Sequence, residues 1–566
     1  MSVVISTRCA PAASAWSTAW RYRGLPASGR MFFEGRPLDP ARSGMTAVQA
    51  GMGRGMGGVP VGGVRVPPGS GRRCVTILKA LACHPPAGPT GTQARTASLP
   101  PMAPPTFPSR TTRAFPSSWR MSLLIGVYEL LWHLMLPVFL LFLWRRGRRE
   151  PLYRAHWSER FGAVTCTLER PLWVHSASMG EIRGAAPLVR ALLAAGYPVW
   201  ITTLTPAGRT AALKLFEEAI AQGHAQVSYV PLELGWAVRR LIRRVRPRAA
   251  LMTEIDTWPV LLTTIRRQGV PLCIANAQYP KKSIERDRKW GGFRAGIFPA
   301  YELVLCKSET HAQRFRAVGC EQVVIAGETR FDLPVSPQQI AAAQALLGPW
   351  QLATAAPGQR PVLCFASAIV GEDEQFIEAI AQVQAGLQAA GLPRPLVVYV
   401  PRSPQRFDTV AQLFEAAGLR VARRSRMLDA TLQPTPDAPD MAGVDVLLGD
   451  SLGEMYFYLA LSQVVVVGAS FVPLGAHNVI EPLALKKPVM VGHSIWGIEY
   501  PGVEALAAGV LQQHMTIPGL SAALVKLLTS PADYAAAIAG AEAFYAEHGG
   551  ATARHMATLV PWLERR

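Results

Sequence analysis

The chain has 566 residues, 49% of them apolar, and carries 58 Lys and Arg against 38 Asp and Glu, a formal charge of +20. The length allows roughly three structural units. The charge is uneven: residues 1–120 hold 15 basic side chains and two acids, Glu34 and Asp39, so +13 belongs to the first fifth and only +7 to the remaining 446 residues. A basic balance confined to one end excludes nucleic acid as a partner of the body.

Residues 1–120 contain 16 Pro and 15 Gly, and stretches such as Gly51–Gly58 and Pro100–Pro105 have neither helical nor strand periodicity. The character changes abruptly at Met121. The functional start is expected there, with 1–120 either a mis-assigned beginning or a disordered basic tail.

Residues 121–150 read as a membrane anchor helix with a basic flank. From Ser122 to Trp144 run 23 mostly apolar residues, followed at once by Arg145, Arg146, Arg148 and Arg149. That length spans roughly 30 Å as a helix, and the arginines predict a cytoplasmic side at the helix end. Glu129 and His133 sit four apart inside it and are costly in hydrocarbon. Two arrangements stay open: a spanning anchor, or a helix lying in the inner leaflet with its basic end on anionic lipid.

Beyond residue 150 two α/β halves follow, 151–345 and 346–566. In the first, strands are predicted at Leu172–His175, Val199–Thr203, Val227–Val230, Ala249–Thr253, Leu272–Ala275, Leu303–Cys306 and Val323–Ala326. Helices are predicted after Glu181 to Leu193, over Thr210–Gln222 and over Trp236–Val245. Pro334–Gly358 reads as a partly helical linker. Strands then follow at Val362–Ala366, Leu396–Val400, Leu419–Ala422, Val444–Leu448, Val464–Val467 and Pro488–Val491. Alternating strands and helices predict two doubly wound domains with parallel sheets, facing each other across a cleft. Neither half has a dinucleotide fingerprint or a P-loop, which excludes a nicotinamide enzyme and a P-loop NTPase.

Eight cysteines (Cys9, Cys74, Cys83, Cys166, Cys273, Cys306, Cys320 and Cys364) lack any C-x-x-C pair or a His at metal spacing. No metal site is expected, and the five after Met121 read as buried thiols of a reducing compartment.

The candidate chemistry falls at strand ends. Ser178-Met179-Gly180-Glu181 opens a helix. Gly180 lets a ligand approach the backbone, and Glu181 either deprotonates a hydroxyl or serves the helix dipole. Glu254 and Asp256, beside Trp258, either bind a polyhydroxylated substrate or solvate a loop. Arg402 follows a strand and can pair with phosphate or carboxylate. Ser451, Gly453 and Glu454 begin a helix and offer a phosphate seat. Asn478 and Glu481 either form a capping box or hold a ribose diol.

Taken in order, Trp173–Glu181, Thr205–Gly208, Glu254–Pro259, Asn276–Ser283, Gly327–Asp332, Pro401–Phe407, Gly449–Glu454 and Gly468–Glu481 resemble the 3-deoxy-D-manno-octulosonic acid (Kdo) transferases of lipopolysaccharide synthesis. The resemblance covers about 445 residues, from the Tyr153 to Gly162 entry onward. It implies a GT-B fold, a CMP-Kdo donor, a lipid A precursor as acceptor at the cytoplasmic face of the inner membrane, and no metal or other cofactor. It further implies Glu181 as the general base of an inverting transfer, Ser178, Gly180, Glu254 and Asp256 on the acceptor side, and Arg402, Ser451, Gly453, Glu454, Asn478 and Glu481 around the nucleotide. The family usually has Glu at Asp256, Arg at Gln278 and Lys at Arg330. Ser367–Glu372, Pro401–Ser403 and Gly492–Gly497 also depart from its pattern. A paralogue using another nucleotide sugar and an inactive binding protein of the same fold are the alternatives.

Overall fold

The computed structural model describes residues 115, 118–255, 257–352, 359–436 and 438–566. The expectations for the basic N-terminal segment up to residue 114, and for Asp256, lie outside the described residues.

Helix α1, Trp119–Arg146, starts at Ser118, whose hydroxyl accepts the Met121 amide at 3.3 Å. It extends the predicted 122–144 segment at both ends, and its 28 residues reach about 42 Å. One stripe, Ile125, Trp132, Phe139 and Leu143, is buried. The opposite side exposes Leu123, Leu124, Val127, Leu130, Leu131, Leu134, Val138 and Leu141. The buried stripe rests on the first half of the body along the whole length. Ile125 joins the core there, and Trp132, Phe139 and Leu143 pack with Leu232, Leu234 and Ala237. At the far end Arg154 donates to the Trp144 carbonyl at 2.9 Å. Glu129 is satisfied by protein: its carboxylate accepts the Gly235 amide at 2.8 Å, at the start of helix α3 below.

The first half is a seven-stranded parallel sheet in the order β3-β2-β1-β4-β5-β6-β7. Its strands are β1 Leu172–His175, β2 Val199–Thr203, β3 Ala225–Tyr229, β4 Ala249–Thr253, β5 Leu272–Ala277, β6 Leu303–Cys306 and β7 Val323–Ile325. Helix α2, Met179–Ala194, follows β1, α3, Gly235–Val245, follows β3, and α4, Pro259–Arg267, follows β4. The helix expected over 210–222 is instead two, Pro206–Leu215 and Glu217–Ala221, parted at Phe216. Helices at Pro259–Arg267, Lys281–Lys289 and Glu309–Ala317 complete the crossovers between the later strands.

The second half is another seven-stranded parallel sheet, ordered β10-β11-β9-β8-β12-β13-β14. Its strands are β8 Val362–Ala368, β9 Leu396–Pro401, β10 Val421–Arg423, β11 Val446–Leu448, β12 Val464–Val467, β13 Val489–Val491 and β14 Leu511–Gln513. Two parallel α/β sheets of this kind make the GT-B arrangement. The linker carries helix α5, Pro337–Leu347, whose Ala342, Ala343 and Leu346 enter the second core.

The last helix, α6, Ala551–Glu564, returns to the first half. Leu559, Trp562 and Leu563 lie in the same core as β1 and α2. Asp332 accepts the Gly550 amide at 2.7 Å and the Thr552 amide at 2.5 Å, while His555 accepts the Asn276 amide at 3.2 Å. The first domain is therefore closed by the end of the chain.

Of the five described cysteines, Cys273, Cys306, Cys320 and Cys364 are buried free thiols and Cys166 is half-buried.

Candidate active site

In each sheet the strand order reverses at one place: between β1 and β4 in the first, between β8 and β12 in the second. Crossovers leave such a point in opposite directions, so the loops after those strands part and open a crevice. The β1 loop carries Ser178, Gly180 and Glu181, and the β4 loop carries Glu254.

Ser178 caps α2, its hydroxyl accepting the Glu181 amide at 3.4 Å. The Glu181 carboxylate folds back and accepts the Ala177 amide at 2.7 Å. This is a capping box displaced by one residue. Glu181 thus does what the helix-start reading asks, and the same bond fixes where its half-buried carboxylate points. Gly180 is exposed beside it.

Glu254 sits in left-handed backbone with φ 62°. One carboxylate oxygen pairs with Arg330 and lies 3.9 Å from Lys307; the other accepts Gln278 at 2.8 Å. Burial opposes its ionisation, but Arg330 and Lys307 outweigh that and hold the carboxyl below its usual range. Lys307 is itself buried and pairs with Glu328.

In the second domain Glu372, absent from the predicted site, organises the crevice. Its buried carboxylate accepts the amides of Ile369 at 3.2 Å, Ala469 at 2.8 Å, Ser470 at 2.9 Å and Phe471 at 3.0 Å, tying the β8 loop to the β12 loop. Burial raises its carboxyl in spite of these four donors. At Gly468 the β12 end runs so close to β8 that a Cβ would stand 2.5 Å from the Ser367 carbonyl. A glycine opening the β12 loop is the sequence signal for that approach.

Arg402 leaves β9 with its amide bonded to the Ala368 carbonyl at 2.9 Å and its side chain exposed. His477 and Glu481 both feel its charge. Burial first, then Arg402, lowers His477 to about 4, leaving it neutral at physiological pH. Asn478 Oδ1 accepts the Ile480 amide at 3.0 Å, but Val479 occupies the cap position of the short helix Ile480–Ala484, so the capping box of Asn478 and Glu481 does not form as such. Burial raises Glu481, against Asn478 and the charges of Arg402, Arg183 and Arg330. The last two belong to the first domain, so Glu481 faces across the cleft.

The Gly449–Glu454 loop follows β11, one strand beyond β9, and is tied down locally. Glu454 pairs with Arg424 at 2.6 Å and accepts the Ser451 hydroxyl; Ser451 lies 2.5 Å from the Tyr458 hydroxyl. The Gly453 carbonyl accepts Gln339 from α5 at 2.9 Å. Arg402, Asn478 and Glu481 thus lie near one another on the second domain, with Glu481 in electrostatic reach of Arg183 and Arg330 of the first, and Ser451, Gly453 and Glu454 sit in a neighbouring loop. Among the described residues no group of three His, Cys, Asp or Glu is placed to hold a metal ion.

The two domains also touch beside the cleft. Glu499 accepts the Lys281 amide at 2.8 Å and pairs with Arg314 at 2.6 Å, and Lys282 lies 3.7 Å from the centre of the Trp496 ring.

Residues 155–333 match the family described as 3-Deoxy-D-manno-octulosonic-acid transferase (kdotransferase). The chain is 37% identical over 446 residues to the 3-deoxy-D-manno-octulosonic acid transferase of Bordetella pertussis, covering 77% of this chain and 99% of that one. It is 29% identical over 440 residues to the enzyme of the same name from Haemophilus influenzae, covering 76% and 96%. Among solved structures, it is similar to the C-terminal CMP-Kdo binding domain of WaaA from Acinetobacter baumannii, with 28% identity, 36% and 95% coverage and a TM-score of 0.30. It is also similar to UDP-GlcNAc 2-epimerase from Neisseria meningitidis bound to UDP-GlcNAc, with 14% identity, 69% and 100% coverage and a TM-score of 0.45.

Proposed function

Since the chain belongs to the Kdo transferase family, and is a glycosyltransferase that transfers Kdo in lipopolysaccharide synthesis, we propose that it carries Kdo from CMP-Kdo to a lipid A precursor with inversion, Glu181 being the general base. The observation that carries this reading is the position of Glu181 at the first reversal point, on a turn whose Gly180 carbonyl accepts Arg330, an arginine whose charge also reaches Glu481 of the second domain. In the transfer, an acceptor hydroxyl oxygen attacks the anomeric carbon as the bond from that carbon to the CMP phosphate oxygen breaks. The hydroxyl proton passes to Glu181, and CMP leaves with the electron pair. Charge grows on the phosphate, where Arg402 stabilises it. Asn478 and Glu481 hold the nucleotide, with Ser451, Gly453 and Glu454 at its edge. Asp256 remains a candidate on the acceptor side.

Helix α1 would deliver the lipid. Its inner stripe and Glu129 are spent on the protein while its outer side is apolar from Leu123 to Leu141 apart from the exposed His133. This favours a helix in the plane of the inner leaflet, exposed leucines in the acyl region and Arg145–Arg149 on anionic headgroups at the cytoplasmic face. The acceptor would then be concentrated where the cleft opens. Glu181→Ala in detergent-solubilised protein, assayed with CMP-Kdo and a tetraacylated lipid A precursor, tests the base. Loss of the product mass with CMP binding retained is expected, and undiminished transfer would remove Glu181 from the mechanism. If the wild-type protein leaves CMP-Kdo untouched, a panel of nucleotide sugars on the same lipid tests the paralogue reading.

A further inference from the structure

Where the two domains touch beside the cleft, the second-domain side is built into the loop that carries Asn478 and Glu481. Trp496 lies in the short turn Trp496–Ile498 after β13. Its ring rests on the β12 loop: a Cβ on Gly475 would stand 2.8 Å from the two carbons shared by the fused rings. Gly475 meets the ring in left-handed backbone, φ 93°, with its amide bonded to the Ser494 hydroxyl at 3.0 Å and its carbonyl to the Gly497 amide at 2.8 Å. The indole Nε1 donates to the Pro473 carbonyl at 3.4 Å. The β12 loop and the turn after β13 are therefore one body, and Asn478 follows Gly475 by three residues.

The first domain takes hold of that body at two points. Lys282 Nζ stands 3.7 Å from the centre of the Trp496 ring, a cation over an aromatic face. Three residues after Trp496, Glu499 accepts the Lys281 amide at 2.8 Å and pairs with Arg314 at 2.6 Å. Lys281 begins the helix Lys281–Lys289, so its amide has no acceptor within that helix and finds one in the other domain. Arg314 is fixed in turn by donating to the Tyr279 carbonyl at 2.8 Å. Burial works against charge on Glu499, but Arg314 and the Lys281 amide outweigh it and hold the carboxyl below its usual range. Trp496 belongs to Gly492–Gly497, a stretch that departs from the family pattern, so the resemblance does not foretell this contact.

We infer that Trp496 is a positioning residue for the donor: Lys282 of the first domain holds its ring, the ring holds the β12 loop, and Asn478 and Glu481 take their places around the nucleotide only while the two domains are clasped. This rests on the reading that those two residues hold CMP.

Whatever the clasp contributes to nucleotide binding, the nucleotide returns to the clasp. The test is therefore CMP calorimetry together with hydrogen exchange at the Lys281 amide, both on the full chain in detergent. Lys282 is exposed, so Lys282→Ala should fold, and it is expected to weaken CMP binding by about three- to thirty-fold, the range of a cation–π contact. Lys282→Arg, whose guanidinium also stacks on an aromatic face, restores the affinity. Trp496→Leu weakens CMP binding as well, and adding Lys282→Ala to it costs nothing more. Saturating CMP slows exchange at Lys281 by roughly the factor lost in Lys282→Ala, and Glu499→Ala abolishes that protection. Losses that add in the double variant overturn the clasp and mean that Lys282 meets the nucleotide directly. Exchange at Lys281 that is indifferent to CMP overturns it too. Should Trp496→Leu fail to fold, Lys282→Ala and the exchange rates decide. A wild-type chain that binds no CMP overturns the donor reading itself, whereas CMP bound alike by wild type and Lys282→Ala overturns the clasp alone.

Discussion

The two reversal points are built from different materials. In the first domain the crevice is backed by alternating charges, Glu254, Arg330, Lys307 and Glu328, and Arg330 donates to the Gly180 carbonyl of the turn that carries Glu181. In the second, a single buried carboxylate, Glu372, gathers the Ile369, Ala469, Ser470 and Phe471 amides and shapes a loop of backbone. On the proposed reading Glu181 is a proton acceptor, which must be placed to a fraction of an ångström, and stiff ion pairs suit that. On that reading the second domain recognises a nucleotide over a wider surface, for which a firm loop with one exposed arginine, Arg402, would suffice.

The comparison breaks most visibly at Glu181. Its replacement by alanine is expected to lower kcat by on the order of 10²–10⁴ while CMP affinity, measured by calorimetry, stays within a few-fold. Glu372→Ala should do the reverse. It leaves buried amides unpaired, costing about 3 kcal/mol in chemical unfolding, and weakens CMP binding before it changes the acceptor KM.

A third prediction concerns the support beneath α1. Glu233 is fully buried and accepts the Val260 and Leu261 amides at the start of α4, and burial pushes its carboxyl up to about 8. The folded state therefore keeps a proton that the unfolded chain gives up above pH 4.5. Stability attributable to this group is complete below that pH and is lost as pH rises towards 8, by about 1.4 kcal/mol per unit. Glu233→Gln should flatten this slope in urea titrations between pH 5 and 8; an unchanged slope would mean Glu233 is ionised in the fold. The smallest effect is expected from Glu129→Ala, which removes the cap on α3 and should cost about 1 kcal/mol.

Much of the fold was legible in the order of residues. The strands β1, β2, β4, β6 and β12 have the predicted limits, because short apolar runs between turn residues suit parallel strands buried on both faces. The helix Pro259–Arg267 was not, since it has only nine residues and its first seven are buried, a short apolar run that does not separate helix from strand. Lys281–Lys289 fails in the opposite way: only Ser283 and Asp287 are buried, so its composition is that of a loop. The three-residue β14 is too short to carry a period. That α6 closes the first domain cannot be read from linear order.

The site divides similarly. Ser178, Gly180, Glu181 and Arg402 follow directly on β1 and β9, and Glu481 opens the short helix Ile480–Ala484 after the β12 loop, positions that sequence can place. The pairing of Glu254 with Arg330, 76 residues away, exists only once β4 and the segment after β7 are folded. So does the reach of Glu372 to residues 97 to 99 positions later.

The central claim is best tested by product mass. Wild-type protein, CMP-Kdo and a tetraacylated lipid A precursor should yield lipid heavier by one or more Kdo units, and Glu181→Gln, still binding CMP, should yield none. No mass gain from folded wild-type protein beside an active transferase, or an equal gain from Glu181→Gln, would contradict the account.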